Sequence, residues 1–175
     1  GFAPGNTTGD SGYGGRLVTV PYADDREDLD GLLAAVLREN SALLYLANPD
    51  NPMGSHHPAS VIEDMIANLP DHSLLVLDEA YADLAPPGTV PSIAADHPQV
   101  IRLRTFSKGY GLAGARVGYA VTNTDLALAF AAEVRFPIIV KPDDGMGASF
   151  TYKLENPAQV EEFFADRKST RLNSS

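Results

Sequence analysis

The stretch Leu74-Leu75-Val76-Leu77-Asp78-Glu79-Ala80-Tyr81 decides how this chain folds. Its first four residues are all apolar, which is neither the alternation of a half-exposed strand nor the spacing of a helix face. Short unbroken apolar runs are typical of strands in a parallel sheet that is covered on both faces. We therefore predict a buried strand over Leu74–Leu77, with Asp78 at its carboxyl end.

Comparable runs lie on both sides of this strand. Further strands are predicted at residues 17–20, 42–47, 100–103 and 117–121. Apolar residues at helical spacing predict helices at residues 28–38, 60–69 and 124–133. Residues 1–15 are rich in Gly, Thr, Asn and Pro and are predicted to be loop. Alternating strands and helices predict an α/β fold with a mainly parallel, helix-covered sheet.

Polar residues follow three of the predicted strands directly. Asn51 lies in the run Asn48-Pro49-Asp50-Asn51-Pro52-Met53-Gly54, and Lys108 lies in the run Arg104-Thr105-Phe106-Ser107-Lys108-Gly109-Tyr110-Gly111-Leu112-Ala113-Gly114-Ala115-Arg116. Ligands of parallel sheets bind outside the carboxyl ends of the strands. We therefore expect Asn51, Asp78 and Lys108 to meet in one pocket.

The residue types in these runs suit pyridoxal phosphate. The amine of Lys108 can condense with the pyridoxal aldehyde and then exchange with a substrate amine. A carboxylate such as Asp78, facing the ring nitrogen, favours its protonated form, because an opposite charge stabilises the charged state. Glu79 is not required as a general base, since Lys108 can itself move the substrate proton.

Five more side chains suit the oxygens of the same cofactor. Tyr81 and Asn51 can both donate to the phenolate oxygen of the ring. Thr105, Ser107 and Arg116 can hold the phosphate, because a guanidinium meets phosphate oxygens with two parallel hydrogen bonds.

At these residues the chain resembles the fold type I pyridoxal-phosphate-dependent aminotransferases of class I/II, and the spacing is most similar to the histidinol-phosphate aminotransferase branch. The resemblance covers about residues 12–133. It implies amino transfer between an amino acid, or an amino phosphate such as histidinol phosphate, and a 2-oxo acid, in a homodimer. It implies that Lys108 is catalytic and that the cofactor is bound by Asn51, Asp78, Tyr81, Thr105, Ser107, Lys108 and Arg116.

The chain changes character near residue 135. Residues 136–148 resemble the phosphate-loop hairpin of ATP-grasp ligases, which implies nucleotide binding by Lys141, Gly145 and Gly147. Residues 166–175 match the translation of a sequencing-library adapter. We therefore predict an aminotransferase large-domain fragment at 1–134, a foreign ATP-grasp-like β-hairpin and helix at 135–165, and a disordered or artefactual tail at 166–175.

Segments that the resemblance leads us to expect are missing, namely an upstream phosphate loop and a small domain. Little or no transaminase activity is therefore expected of this polypeptide alone. Three alternatives stay open: an ATP-grasp carboxylate ligase fragment, an inert fragment that only binds pyridoxal phosphate, and a pyridoxal-phosphate-dependent decarboxylase with the same cofactor anchors.

Composition narrows the range of partners. The net charge is −10, and residues 1–134 carry 17 acidic but 7 basic side chains, which argues against a nucleic acid partner. No apolar run approaches the length that spans a bilayer, so no membrane partner is expected. The chain has no Cys, which makes the cytoplasm the default compartment. His56 and His57 have no partners at ligand spacing, so no metal site is predicted.

Overall fold

The computed structural model describes residues 15–133, 138–140, 152–156, 158–159, 162 and 165. Contacts divide the chain into two units, Gly1–Val121 and Thr122–Ser175. The helices and strands of the first unit follow in the order α1 (Leu29–Glu39), β1 (Leu43–Ala47), α2 (Ala59–Ala67), β2 (Leu74–Asp78), β3 (Val100–Thr105) and β4 (Gly118–Val121). The second contains α3 (Thr124–Glu133), β5 (Ile138–Val140) and β6 (Tyr152–Leu154).

The first unit is built on a four-stranded sheet in the order β1-β2-β3-β4. Strands β1, β2 and β3 are parallel, and β4 pairs with β3 in the antiparallel direction. Asp78 is in register with Ala47 on one side and Leu103 on the other, so the carboxyl ends of all three parallel strands lie at one edge. The predicted α/β fold with a mainly parallel sheet is confirmed.

The core lies between this sheet and helices α1 and α2. Four of its side chains have no exposed surface at all: Leu46, Ile62, Leu75 and Leu77. Strand β1 departs from the prediction that both faces of the sheet are covered, because Leu43 and Tyr45 are more than half exposed. Their neighbours Leu44 and Leu46 point to the helices and are buried, as period-two alternation requires.

Helix α1 begins and ends with standard caps. The Asp28 carboxylate accepts a hydrogen bond from the Gly31 N–H at the start, and Asn40 adopts the left-handed conformation at the end. Helix α2 is shorter than predicted. The Asn68 amide donates to the Asp64 carbonyl and the backbone turns there, while Leu69 stays buried beyond the helix.

The strand predicted at Leu17–Val20 is wrong. These residues are not part of the sheet, and Leu17 is 46% exposed. A short apolar run becomes a strand only where a neighbouring strand satisfies its backbone hydrogen bonds, and periodicity alone does not report that neighbour.

In the second unit, β5 and β6 form an antiparallel pair. Lys141, Gly145 and Gly147, the predicted nucleotide-binding residues, lie outside the described residues, as does the tail at 166–175. Within the described ranges, no helix combines the length and apolarity needed to cross a membrane.

Candidate active site

Three of the predicted site residues meet beyond the carboxyl ends of β1, β2 and β3. The Lys108 Nζ lies 5.1 Å from the centre of the Tyr81 ring, and the Asn51 amide donates a long hydrogen bond of 3.4 Å to the Tyr81 hydroxyl. Because that hydroxyl accepts from Asn51, its own proton is available to another acceptor. A hollow of about 300 Å³ opens beside Asn51 and Tyr81.

Asp78 is held on both of its carboxylate oxygens. One accepts from the Ala80 N–H at 3.0 Å and the other from the Tyr45 hydroxyl at 2.7 Å. Partial burial of the Tyr45 side chain, followed by the bond to Asp78, raises the pKa of Tyr45, so this phenol stays a donor at neutral pH. The structure joins Asp78 to Tyr81 through the turn that follows β2, and among the described contacts none links Asp78 directly to Lys108.

The predicted phosphate-binding residues lie around the end of β3. The Thr105 hydroxyl accepts from the Ser107 N–H at 3.1 Å and donates to the Val117 carbonyl at 3.3 Å. Arg116, which precedes Val117, has a φ of 53° and donates from Nη1 to the Ala113 carbonyl at 3.1 Å. The structure therefore brings Thr105 and Ser107 into one turn, with Arg116 in the chain segment that returns to it.

Lys108 lies on a closed loop between β3 and β4. The Lys108 carbonyl accepts from the Gly111 N–H at 3.0 Å, and the Phe106 carbonyl accepts from the Leu112 N–H at 3.1 Å. Gly111 has a φ of 66°, a conformation that residues with a Cβ adopt rarely. The Phe106 ring packs against Tyr110 with centroids 5.3 Å apart. These contacts order the backbone of the loop that carries Lys108.

A group of acids behind Asp78 was missed at the level of sequence. Burial, with added repulsion from Asp50 and Asp78, raises the pKa of Glu27 to about 7 against an opposing backbone hydrogen bond from Ala47. One Glu27 oxygen, Oε2, is buried and has no hydrogen-bond partner among the described residues. Glu27 precedes the first helix in a polar stretch, and no motif marks it.

Tyr22 belongs to the same group. Its hydroxyl donates to the Asp50 carboxylate at 2.8 Å. Burial, followed by this bond, raises the pKa of Tyr22 to about 12. Asp50 itself is buried, so Tyr22 supplies a hydrogen bond that its carboxylate needs.

Glu79 is not exposed to a substrate. Its side chain is 1% exposed and is bonded to Arg102 and Arg104. Two arginines at alternate positions of a strand point to the same face, so they signal a buried acid opposite them. The run from 100 to 105 carries this pattern at Arg102 and Arg104.

Comparison with known proteins identifies the family of this chain. The model for aminotransferase class I and II matches residues 8–174. An aromatic amino acid aminotransferase of Mycobacterium sp. (strain KMS) is 40% identical over 119 residues, which cover 66% of this chain and 33% of that protein. A histidinol-phosphate aminotransferase of Akkermansia muciniphila is 44% identical over 112 residues, covering 62% and 30%. The chain thus spans about a third of the length of these relatives.

A solved aminotransferase structure is also similar to this chain in sequence and in fold. The histidinol-phosphate aminotransferase from Sinorhizobium meliloti, in complex with pyridoxal-5'-phosphate, is 61% identical, with a TM-score of 0.67 over 71% of this chain and 34% of that one. The mainly parallel sheet of this chain therefore belongs to a known architecture. The chain belongs to the class I and II aminotransferase family.

Proposed function

We propose that this chain is the cofactor-binding part of a pyridoxal-phosphate-dependent aminotransferase. The observation that carries the proposal is the convergence of Asn51, Tyr81 and Lys108 from three separate strand ends. An amine, a phenol and an amide that come together at the ligand-binding edge of a parallel sheet are arranged to serve one molecule. The names of the relatives and the bound cofactor of the Sinorhizobium meliloti structure support the same function.

The donor set fits pyridoxal phosphate. The Tyr81 hydroxyl has a free proton for a cofactor oxygen, and the neighbouring Lys108 amine can reach an aldehyde beside it. Asp78 is oriented by bonds to both of its oxygens, and each oxygen has a further lone pair for a protonated ring nitrogen. When bound, the cofactor supplies an aldehyde for the substrate amine and a ring that withdraws electrons from the substrate carbon.

The protein groups then have separate tasks. Lys108 would hold the cofactor through its aldehyde, and its amine, when free, could take and return the substrate proton. The negative charge of Asp78 would stabilise the protonated, positively charged form of the ring nitrogen. Thr105, Ser107 and Arg116 are the proposed phosphate anchors, because hydroxyls and a guanidinium all donate to phosphate oxygens.

The substrates are an amino donor and a 2-oxo acid. Relatives named for aromatic amino acids and for histidinol phosphate match this chain about equally well, so the proposed donor is an amino acid or an amino phosphate with an aromatic ring.

We further propose that the whole enzyme is a homodimer in the cytoplasm. A decarboxylase with the same anchors is the rival activity, and residues 135–165 remain a proposed ATP-grasp-like piece.

Titration with pyridoxal phosphate tests the proposal. The wild-type chain is expected to give the visible absorbance band of a lysine adduct, and Lys108→Ala is expected to lose it. Lys153→Ala, which changes a lysine in β6, is the matched control and keeps the band. A band that survives Lys108→Ala would overturn the proposal, and saturable ATP binding without any band would favour the ligase alternative.

A further inference from the structure

Glu79 is the centre of a buried group of charges next to the site. Its carboxylate accepts two hydrogen bonds from Arg102, at 3.0 and 2.9 Å, and one from Arg104 at 2.7 Å. The side chains of both arginines are less than one fifth exposed. Two arginines around one acid leave one positive charge unbalanced. The Asp83 carboxylate balances it, because its Oδ1 lies 3.4 Å from Nη1 of Arg104.

This group joins the site through the backbone of Glu79, whose carbonyl accepts from the Ala82 N–H at 3.0 Å, and through the side chain of Arg104, which meets Asp83. Asp83 lies in the short helical turn Ala82–Leu84, which follows Tyr81 and is tied to it by the bond from the Leu84 N–H to the Tyr81 carbonyl. On its other side Asp83 touches the loop of Lys108. A Cβ added to Gly109 would lie 3.1 Å from the Asp83 Cβ, so the loop backbone packs against this side chain.

We propose that Arg104 is a positioning residue for Lys108. By binding Glu79 and Asp83 together, its guanidinium fixes the turn that carries Tyr81 against the loop that carries Lys108. The amine is thereby held over the Tyr81 ring, where the cofactor aldehyde would be met. This inference rests on the proposed function for its purpose, although the placement of the amine is a property of the cofactor-free protein.

Arg102 offers a control that distinguishes an effect on the position of Lys108 from an effect on the stability of the protein. It shares the Glu79 carboxylate but has no described contact with Asp83 or with the Lys108 loop. Replacing either arginine with Met keeps the apolar stem and leaves Glu79 paired with the other arginine, so neither change leaves a buried charge alone. The two variants should lose similar stability, and Arg104→Met should also release the loop.

The test compares Arg104→Met with Arg102→Met in the full 175-residue chain. The rate at which acetic anhydride modifies Lys108 is measured by peptide mass mapping without cofactor, relative to Lys153. Loss of the contact with the Tyr81 ring should raise the Lys108 rate about two- to fivefold in Arg104→Met. The rate in Arg102→Met should equal that of wild type. Affinity for pyridoxal phosphate should fall about tenfold in Arg104→Met only.

Each outcome supports or overturns the positioning role of Arg104. Equal acetylation rates in both variants would overturn the positioning role, even if both variants were less stable. If Arg104→Met does not fold, Asp83→Asn replaces it, since it leaves Glu79 fully paired and removes the charge at the loop; an unchanged rate there would also overturn the proposal. Failure of the wild type to react with pyridoxal phosphate would count against the proposed function, while acetylation still decides the role of Arg104.

Discussion

Individual side chains at the edge of the sheet differ in how their charge is balanced. Asp78 accepts hydrogen bonds on both oxygens, and Glu79 is surrounded by guanidinium groups. Glu27, close to Asp78, has a buried oxygen without a partner among the described residues. Glu27 is therefore the acid whose ionisation should cost stability.

The pH dependence of stability tests this statement. The pKa of Glu27 rises from 4.5 to about 7 on folding, because burial and two acidic neighbours disfavour its charged form. Between these two values the folded state binds more protons than the unfolded state, so the free energy of unfolding falls as pH rises from about 4.5 to about 7. Glu27→Gln should remove that fall and stabilise the protein at pH 8 by about 1 to 2 kcal/mol, after allowance for solvent screening.

Urea unfolding at pH 5 and pH 8 measures the effect. Asp71→Asn, a change at an exposed acid, is the control and should leave the pH dependence as in wild type. If Glu27→Gln and wild type lose the same stability between the two pH values, Glu27 ionises without penalty and its proposed surroundings are wrong.

The proposed site residues can be selected from the sequence by residue type, whereas their surroundings cannot. Lys108, Tyr81 and Asn51 could be selected from sequence because each follows a predicted strand end and carries a group that the cofactor chemistry needs. The roles of Glu27 and Arg104 could not, because both depend on neighbours that are distant in sequence. For Arg104, alternation with Arg102 inside an apolar strand was a usable signal.

At the scale of elements, the pairing of β3 with β4 closes the loop that carries Lys108. Sequence predicted both strands but not the antiparallel direction of β4, since a run such as Val117–Val121 has no feature that sets direction. The connection between the strands, residues 106–117, is twelve residues long and contains the short helical turn Ala113–Ala115 in place of the α-helix that a parallel crossover usually has.

Gly118 tests the importance of this pairing. A Cβ at this position would lie 2.8 Å from the Arg104 carbonyl oxygen, which is backbone and cannot move away cheaply. Gly118→Ala should therefore separate β3 from β4 and lower the free energy of unfolding by about 1 to 3 kcal/mol. Gly114→Ala, in the loop that precedes β4, has open space around the added methyl and should change stability by less than about 0.5 kcal/mol. Equal stability of the two variants in urea unfolding would show that the pairing is looser than described.

As a whole molecule, the chain belongs to the class I and II aminotransferase family and spans about a third of the length of the relatives named above. That third contains the proposed covalent anchor, the ring-nitrogen partner and the phosphate anchors in one unit, Gly1–Val121. Family and fold could be predicted because Asn51, Asp78, Lys108 and Arg116 occur in a fixed order. The substrate could not, because none of these residues chooses between one amino donor and another.

Lys108 is the proposed cofactor anchor among the four lysine amines of the chain. Lysines occur at 108, 141, 153 and 168. After incubation with pyridoxal phosphate and reduction with borohydride, peptide mass mapping shows which of them carries the cofactor. At equimolar cofactor, we expect Lys108 to be modified well above the other three lysines. Equal modification of all four lysines, or a preference for Lys141, Lys153 or Lys168, would contradict it.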